Sequence, residues 1–158
     1  MRDRRFVAAH RSGPLGLEHH RLLMAWAYAC AEHVLPLLGE PVDERLRAAL
    51  ETARAWECGK ARVGAAQKAS LAAHAVARAL TNPAAVMVAR AIGQAVATAH
   101  AADHSLGAAE YALKAVKAAG GSAQEERAWQ DAQLPGEVAE LVQSARAAIR
   151  AKAPKFVV

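Results

Sequence analysis

The chain has 158 residues, 54% of them hydrophobic and only 4% aromatic, with a formal net charge of +5 and a pI near 9.6. One domain of this length buries enough surface to fold without staples, and two cysteines with no CxxC pair argue against a disulfide framework or a cysteine-rich zinc site. Alanine, the strongest helix former, occurs 43 times, and no stretch alternates β-branched with polar residues as a strand would, so an all-α protein is expected.

The opening "MRDRRFVAAHR" carries Arg2, Arg4, Arg5 and Arg11 with no apolar stretch behind them. It is expected to be a basic N-terminal segment over residues 1–12 and not a signal peptide. "SGPLG" ends it, and a helix is expected from about Gly16 to Leu38, closed by Pro36 and by "GEP" at Gly39 to Pro41. Glu32, His33 and Pro36 interrupt its apolar run, which speaks against a membrane span. Asp43 caps the next helix, "DERLRAALETARAWECG", and Gly59 ends it. Both cysteines, Cys30 and Cys58, fall in these helices and are expected to be buried thiols.

"KARVGAAQKASLAAHAVARALT" continues helically to Thr81, where Asn82–Pro83 forces a break. Residues 83–104 and 106–119 follow as two helices or one kinked rod. "GGS" at Gly120 to Ser122 is a stop, and Ser122 with Glu125 three residues on has the capping-box spacing. That helix runs to about Gln133, and after Leu134–Pro135–Gly136 comes the last, "GEVAELVQSARAAIRAK". The result is a compact bundle of six to eight helices, one domain over residues 1–158. Because a buried alanine contributes little apolar area, the large residues carry the core individually. Trp26, Leu50, Trp56, Leu71, Val96, Tyr111, Leu113 and Leu141 are expected to meet there.

The chemistry-bearing residues are mostly histidines. His100 and His104 are one helical turn apart with Asp103 between them, a spacing that can place two ligands on one face. Glu18, His19 and His20, or Glu32 and His33, could complete a set from the first long helix. There is no HExxH and no repeated ExxH, however, and adjacent residues such as Glu32 and His33 point in different directions. We therefore assign no metal ligands and read His19, His74, His100, Asp103 and His104 as a polar seam or a ligand-binding cluster. His100 is expected to face the helices carrying His74 and Glu18–His19 and to bond Asp103, with His104 more exposed at a helix end. The chain has no GxSxG, P-loop or GxGxxG. No catalytic residue or cofactor is assigned, and a non-enzyme is favoured. The basic ends could meet phosphates, but no interleaved aromatics offer a stacking platform, which disfavours nucleic acid.

Four stretches together carry a family resemblance: "LEHHRLLMAWAYACAEHVLPLL", "ARAWECGKARVGAAQKASLAAHAVARA", "AIGQAVATAHAADHSLGAAEYALKAV" and "ERAWQDAQLPGEVAELV". In this order, from Arg11 onward, the chain resembles the Imm-5-like immunity proteins of bacterial polymorphic toxin systems. The specific steps are Arg54 to Gly59, Ala73 to Arg78, Ala99 to Gly107 and Trp129 to Pro135. The resemblance implies a non-enzymatic protein that binds a cognate protein toxin. With neither a signal peptide nor a membrane span expected, a cytoplasmic location is the expectation, and a homo-oligomer is left open. Acidic surfaces suit inhibitors of basic nucleases because complementary fields speed encounter. With a positive net charge, either the toxin is not a basic nuclease or an acidic stretch such as "EPVDE" or "SAQEE" meets it. The alternative is a small-molecule or metal-binding helical protein, an enzyme included, with a pocket around His100 and His104. A basic nucleic-acid-binding accessory protein is the further alternative.

Overall fold

Side chains set three of the helix starts among the described residues. In a computed structural model that describes residues 2–152, the expected caps Asp43 and Ser122 are made, and Asn82, expected only as a break, caps a helix as well. Asp43 accepts a hydrogen bond from the Arg45 N–H, Asn82 from Ala85 and Ser122 from Glu125, each satisfying a donor the helix itself cannot. Pro83, with its φ preset, follows Asn82 as the first helical residue. Gly59 and Gly120 close helices at φ 76° and 85°, a left-handed conformation that residues with a Cβ disfavour.

The seven helices among the described residues are α1 (Leu17–His33), α2 (Glu44–Glu57), α3 (Val63–Ala79), α4 (Pro83–Ala97), α5 (His104–Ala118), α6 (Ala123–Ala132) and α7 (Gly136–Lys152). None of them belongs to or borders a strand; one isolated bridge joins Ala8 to Leu15. No helix of the described residues is long and apolar enough to cross a membrane. The protein is an all-α bundle around a single core.

The helix α4 is the centre of the bundle, packed against α1, α2, α3 and α5. Its sequence fits that place: beside the stripe of Ala85, Val88, Ala89, Ile92, Ala95 and Val96, the flanking Ala84, Ala91, Gly93 and Ala97 are buried too, so the buried arc is far wider than one stripe. The helix α6 leans on α5, and α7 on α1. A buried polar chain ties these last elements together. The Trp26 indole donates to the Gln130 carbonyl (2.9 Å), and the Gln130 amide donates to the Ala109 carbonyl (3.0 Å). Arg146 then donates to the Gln130 side-chain oxygen and, at 3.1 Å, to Asp131.

The first residues form a strap of two 3-10 turns, Arg4–Phe6 and Ala9–Arg11, anchored by the buried Phe6 and Leu15. Arg2 reaches Asp103 (Nε to Oδ2, 2.9 Å), and Arg5 donates to the Ser144 hydroxyl at 2.7 Å. The strap therefore clips the α4–α5 corner to α7.

Some expectations need correction. The helix from Gly16 ends at His33 and passes into a 3-10 turn, Leu35–Leu38, because Pro36 cannot continue the α pattern. The helix expected over 83–104 stops at Ala97, and a turn separates it from α5. Trp26, Leu50, Trp56, Val96 and Leu113 are buried as expected, while Tyr111 and Leu141 pack on the core only partly buried. Leu71 is 71% exposed. The helix α3 turns Ala66, Ser70, Ala73, Val76 and Ala77 inward, which leaves Leu71 on the opposite face. Cys30 is buried, and burial pushes its thiol pKa far up, but Cys58, just past the end of α2, is exposed.

Candidate functional site

Three half- to fully buried histidines line the contacts of α4 and its end with neighbouring helices, and a fourth, His100, sits in the turn that follows. His20 of α1 is 1% exposed, and its Nε2 lies 2.6 Å from the Thr98 carbonyl. A carbonyl only accepts, so Nε2 carries the proton. The ring also packs against Trp56 of α2, centroids 4.7 Å apart and tilted by 56°. Burial lowers the His20 pKa against the opposing pull of the Thr98 carbonyl, and the ring is neutral at pH 7.

His74 of α3 fills the space above Gly93 of α4, where an added Cβ would lie 2.7 Å from Nε2. Ser70, one turn earlier, donates to the Gly93 carbonyl at 3.0 Å. Burial, then Arg90 and Arg78, lower the His74 pKa. His104, the first residue of α5, bonds through Nδ1 to the Gln94 side-chain oxygen at 2.6 Å. Gln94 in turn lies over Gly107, whose missing Cβ leaves room for it. The His104 pKa is also lowered, chiefly by burial.

His100 sits in the turn before α5. Its ring is 5.1 Å from that of His104 and tilted by 57°. The two rings therefore serve different partners despite their shared spacing. The His100 Nδ1 and the Asp103 Oδ1 are both buried without a hydrogen-bond partner among the described residues. The His100 and Asp103 side chains, with Arg2, Phe6, Val7, Ala8, Arg11 and Ala102, line a partly open cavity of about 80 Å³, room for a molecule of a few non-hydrogen atoms. Burial, then Arg11 and Arg2, lower the His100 pKa.

Of the residues singled out from sequence, His74, His100, Asp103 and His104 thus lie near α4 and the corner that follows it. His19 is exposed on α1, and the adjacent His20 takes the interior place. Asp103 turns to Arg2 of the strap and does not bond His100. His100 faces the strap, not the helix of His74. His104 starts a helix rather than ending one and is half-buried. Sequence reasoning passed over Thr98 and Gln94 and weighed His20 only as a possible metal ligand beside His19. The available signal was the pair Gly93 and Gly107: a glycine inside a helical pattern marks a close approach. Among the described residues no three His, Cys, Asp or Glu side chains are grouped to hold a metal ion. Neutral imidazoles bonded to a carbonyl and an amide fix how α1 and α5 register on the α4 segment, and His74 packed on Gly93, with the Ser70 bond, does so for α3.

The architecture is that of a small all-α bundle whose helices are keyed together by histidines. The chain belongs to the family described as Imm-5 like putative immunity protein, whose family model matches residues 13–137, from the end of the strap through α6. Comparison with curated proteins and with solved structures finds no match.

Proposed function

We propose that this chain is a toxin-neutralising immunity protein that acts in the cytoplasm by binding its cognate toxin. The observation that carries this is the family match, which spans the bundle from α1 through α6. The geometry is compatible with it: the histidine contacts are internal and hold the scaffold, leaving the helix faces for recognition. The test is co-expression with the toxin domain encoded beside its gene. Protection of the host and a stoichiometric complex on gel filtration are expected. Neither protection nor complex would overturn the assignment.

A second function is favoured by one specific observation: the cavity under the strap is lined by His100 and Asp103, two side chains that each also have a buried polar atom without a partner among the described residues. A small polar ligand there would meet the His100 and Asp103 side chains with Arg2 and Arg11 beside them. Native mass spectrometry and elemental analysis of the purified protein, with His100→Ala as control, test it. A bound species lost in the variant supports it, and identical spectra argue against it.

A further inference from the structure

Charge is segregated along this chain. Between Cys58 and Ala102 the sequence has Lys60, Arg62, Lys68, Arg78 and Arg90 but no aspartate or glutamate. The other 15 lysines and arginines balance the 15 acidic residues, so the whole formal net charge of +5 belongs to this stretch. In the fold it is the α3–α4 hairpin with the turns on either side: Lys60 and Arg62 lie just before α3, Lys68 and Arg78 on it, and Arg90, half-buried, on α4. Lys60, Arg62, Lys68 and Arg78 are all exposed. None of these four is in an ion pair among the described residues.

The face they border is apolar at its middle. Lys68, Leu71, Ala75 and Arg78 are spaced by three, four and three residues, one continuous face of a helix. Leu71, 71% exposed, stands between the two cations with alanine beside it at positions 72 and 75. A projecting apolar side chain on a floor of small residues, rimmed by charge, has the layout of a protein interface, with a dry centre and a polar edge. Nucleic acid fits it less well. A leucine at the centre gains nothing from phosphates, and the stretch holds no Phe, Tyr or Trp on which a base could stack.

We propose that the outer face of α3 is a docking surface for an acidic protein partner, with Leu71 seated in an apolar pocket and Lys68 and Arg78 meeting carboxylates. This rests on the toxin-neutralising function above and narrows it: the toxin's contact face carries net negative charge. The pairing is thus the reverse of an acidic inhibitor on a basic enzyme.

The experiment measures binding of the full chain to the purified toxin domain encoded beside its gene, by calorimetry, between about 50 and 300 mM salt. Lys68→Glu combined with Arg78→Glu is expected to weaken the complex by about 100-fold at low salt, and Leu71→Ala by about tenfold. Circular dichroism and melting temperature should not move, because all three side chains are in solvent. The control pair Arg45→Glu and Arg47→Glu on α2 should leave affinity within about twofold. If the complex forms and the α3 variants bind like the parent, the docking surface is refuted while the toxin-neutralising function stands. If the parent forms no complex, both fall. A short DNA duplex serves as the competing probe. Duplex binding that the double charge reversal abolishes, beside unchanged toxin binding, would assign the face to nucleic acid and overturn the proposal.

Discussion

His74 Nε2 occupies the space in which a side chain on Gly93 would begin: an added Cβ there would stand 2.7 Å from it. A glycine in a helix interior ordinarily costs about 1 kcal/mol relative to alanine. Here the ring on α3 uses the space that the glycine leaves. Gly93→Ala should therefore lower stability, by about 1 kcal/mol, as overpacking outweighs the gain in helix propensity. Added to His74→Ala, the same change should raise stability. Urea unfolding of the four proteins gives the cycle, and a stabilising Gly93→Ala in the parent would show that the ring swings aside freely.

Trp56 is 7% exposed and holds one face of the His20 ring. Truncation to alanine should cost about 3–5 kcal/mol, the range for a large buried aromatic. It should also loosen the His20–Thr98 bond, which NMR would register as faster exchange of the His20 ring proton. A loss under about 1 kcal/mol would mean that the surrounding helices close the gap.

Arg146 is the only cation bonded to the side chain of Gln130 among the described residues, and Gln130 is fully buried. Arg146→Met keeps much of the packing over Trp26 but orphans the Gln130 oxygen, at a cost of about 2–4 kcal/mol. Gln130→Leu placed on top of it should cost far less than the same change in the parent. A double-mutant cycle showing additivity would remove the two residues from one network.

Stability should depend on pH in a defined window. His20, His74, His100 and His104 all have pKa values lowered from 6.5, burial being the first cause in each. Above pH 6.5 these histidines are neutral whether the chain is folded or unfolded, and they contribute no slope. Below it the unfolded chain takes up protons first, so stability falls as pH falls, until the folded pKa values are passed. Asp3 and Asp43, whose pKa values are lowered from 3.8 by Arg5 and Arg45, act only at more acid pH. The urea midpoint should be flat from about pH 8 to 7 and decline between about 6.5 and 5. A midpoint that rises on acidification would contradict the neutral seam.

Much of the fold was legible because its signals are local. Asp43, Asn82, Ser122, Gly59 and Gly120 each act within one turn, and the structure uses all five as caps or stops. The rest depends on helix phase, which alanine conceals. In "VGAAQKASLAAHAVARA" nearly every position is small enough to face inward, so nothing in the pattern shows that Leu71 points out. The same ambiguity made His19 and His20 interchangeable and let one periodic run pass through Thr98, where the chain turns. The partner of Asp103 was beyond local reasoning, since Arg2 precedes it by 101 residues.

That separation has a kinetic consequence. The contacts of the strap with Asp103 and Ser144 close loops of 101 and 139 residues, and such closures are opposed by chain entropy until the intervening helices have gathered. The strap is thus expected to dock after the rate-limiting step. Arg2→Ala and Arg5→Ala should then leave the refolding rate unchanged and accelerate unfolding, by several-fold together. Stopped-flow chevrons would show it as a raised unfolding arm beside a superimposed folding arm. The strap would thus work as a latch, governing how long the folded molecule lasts and not how quickly it is made.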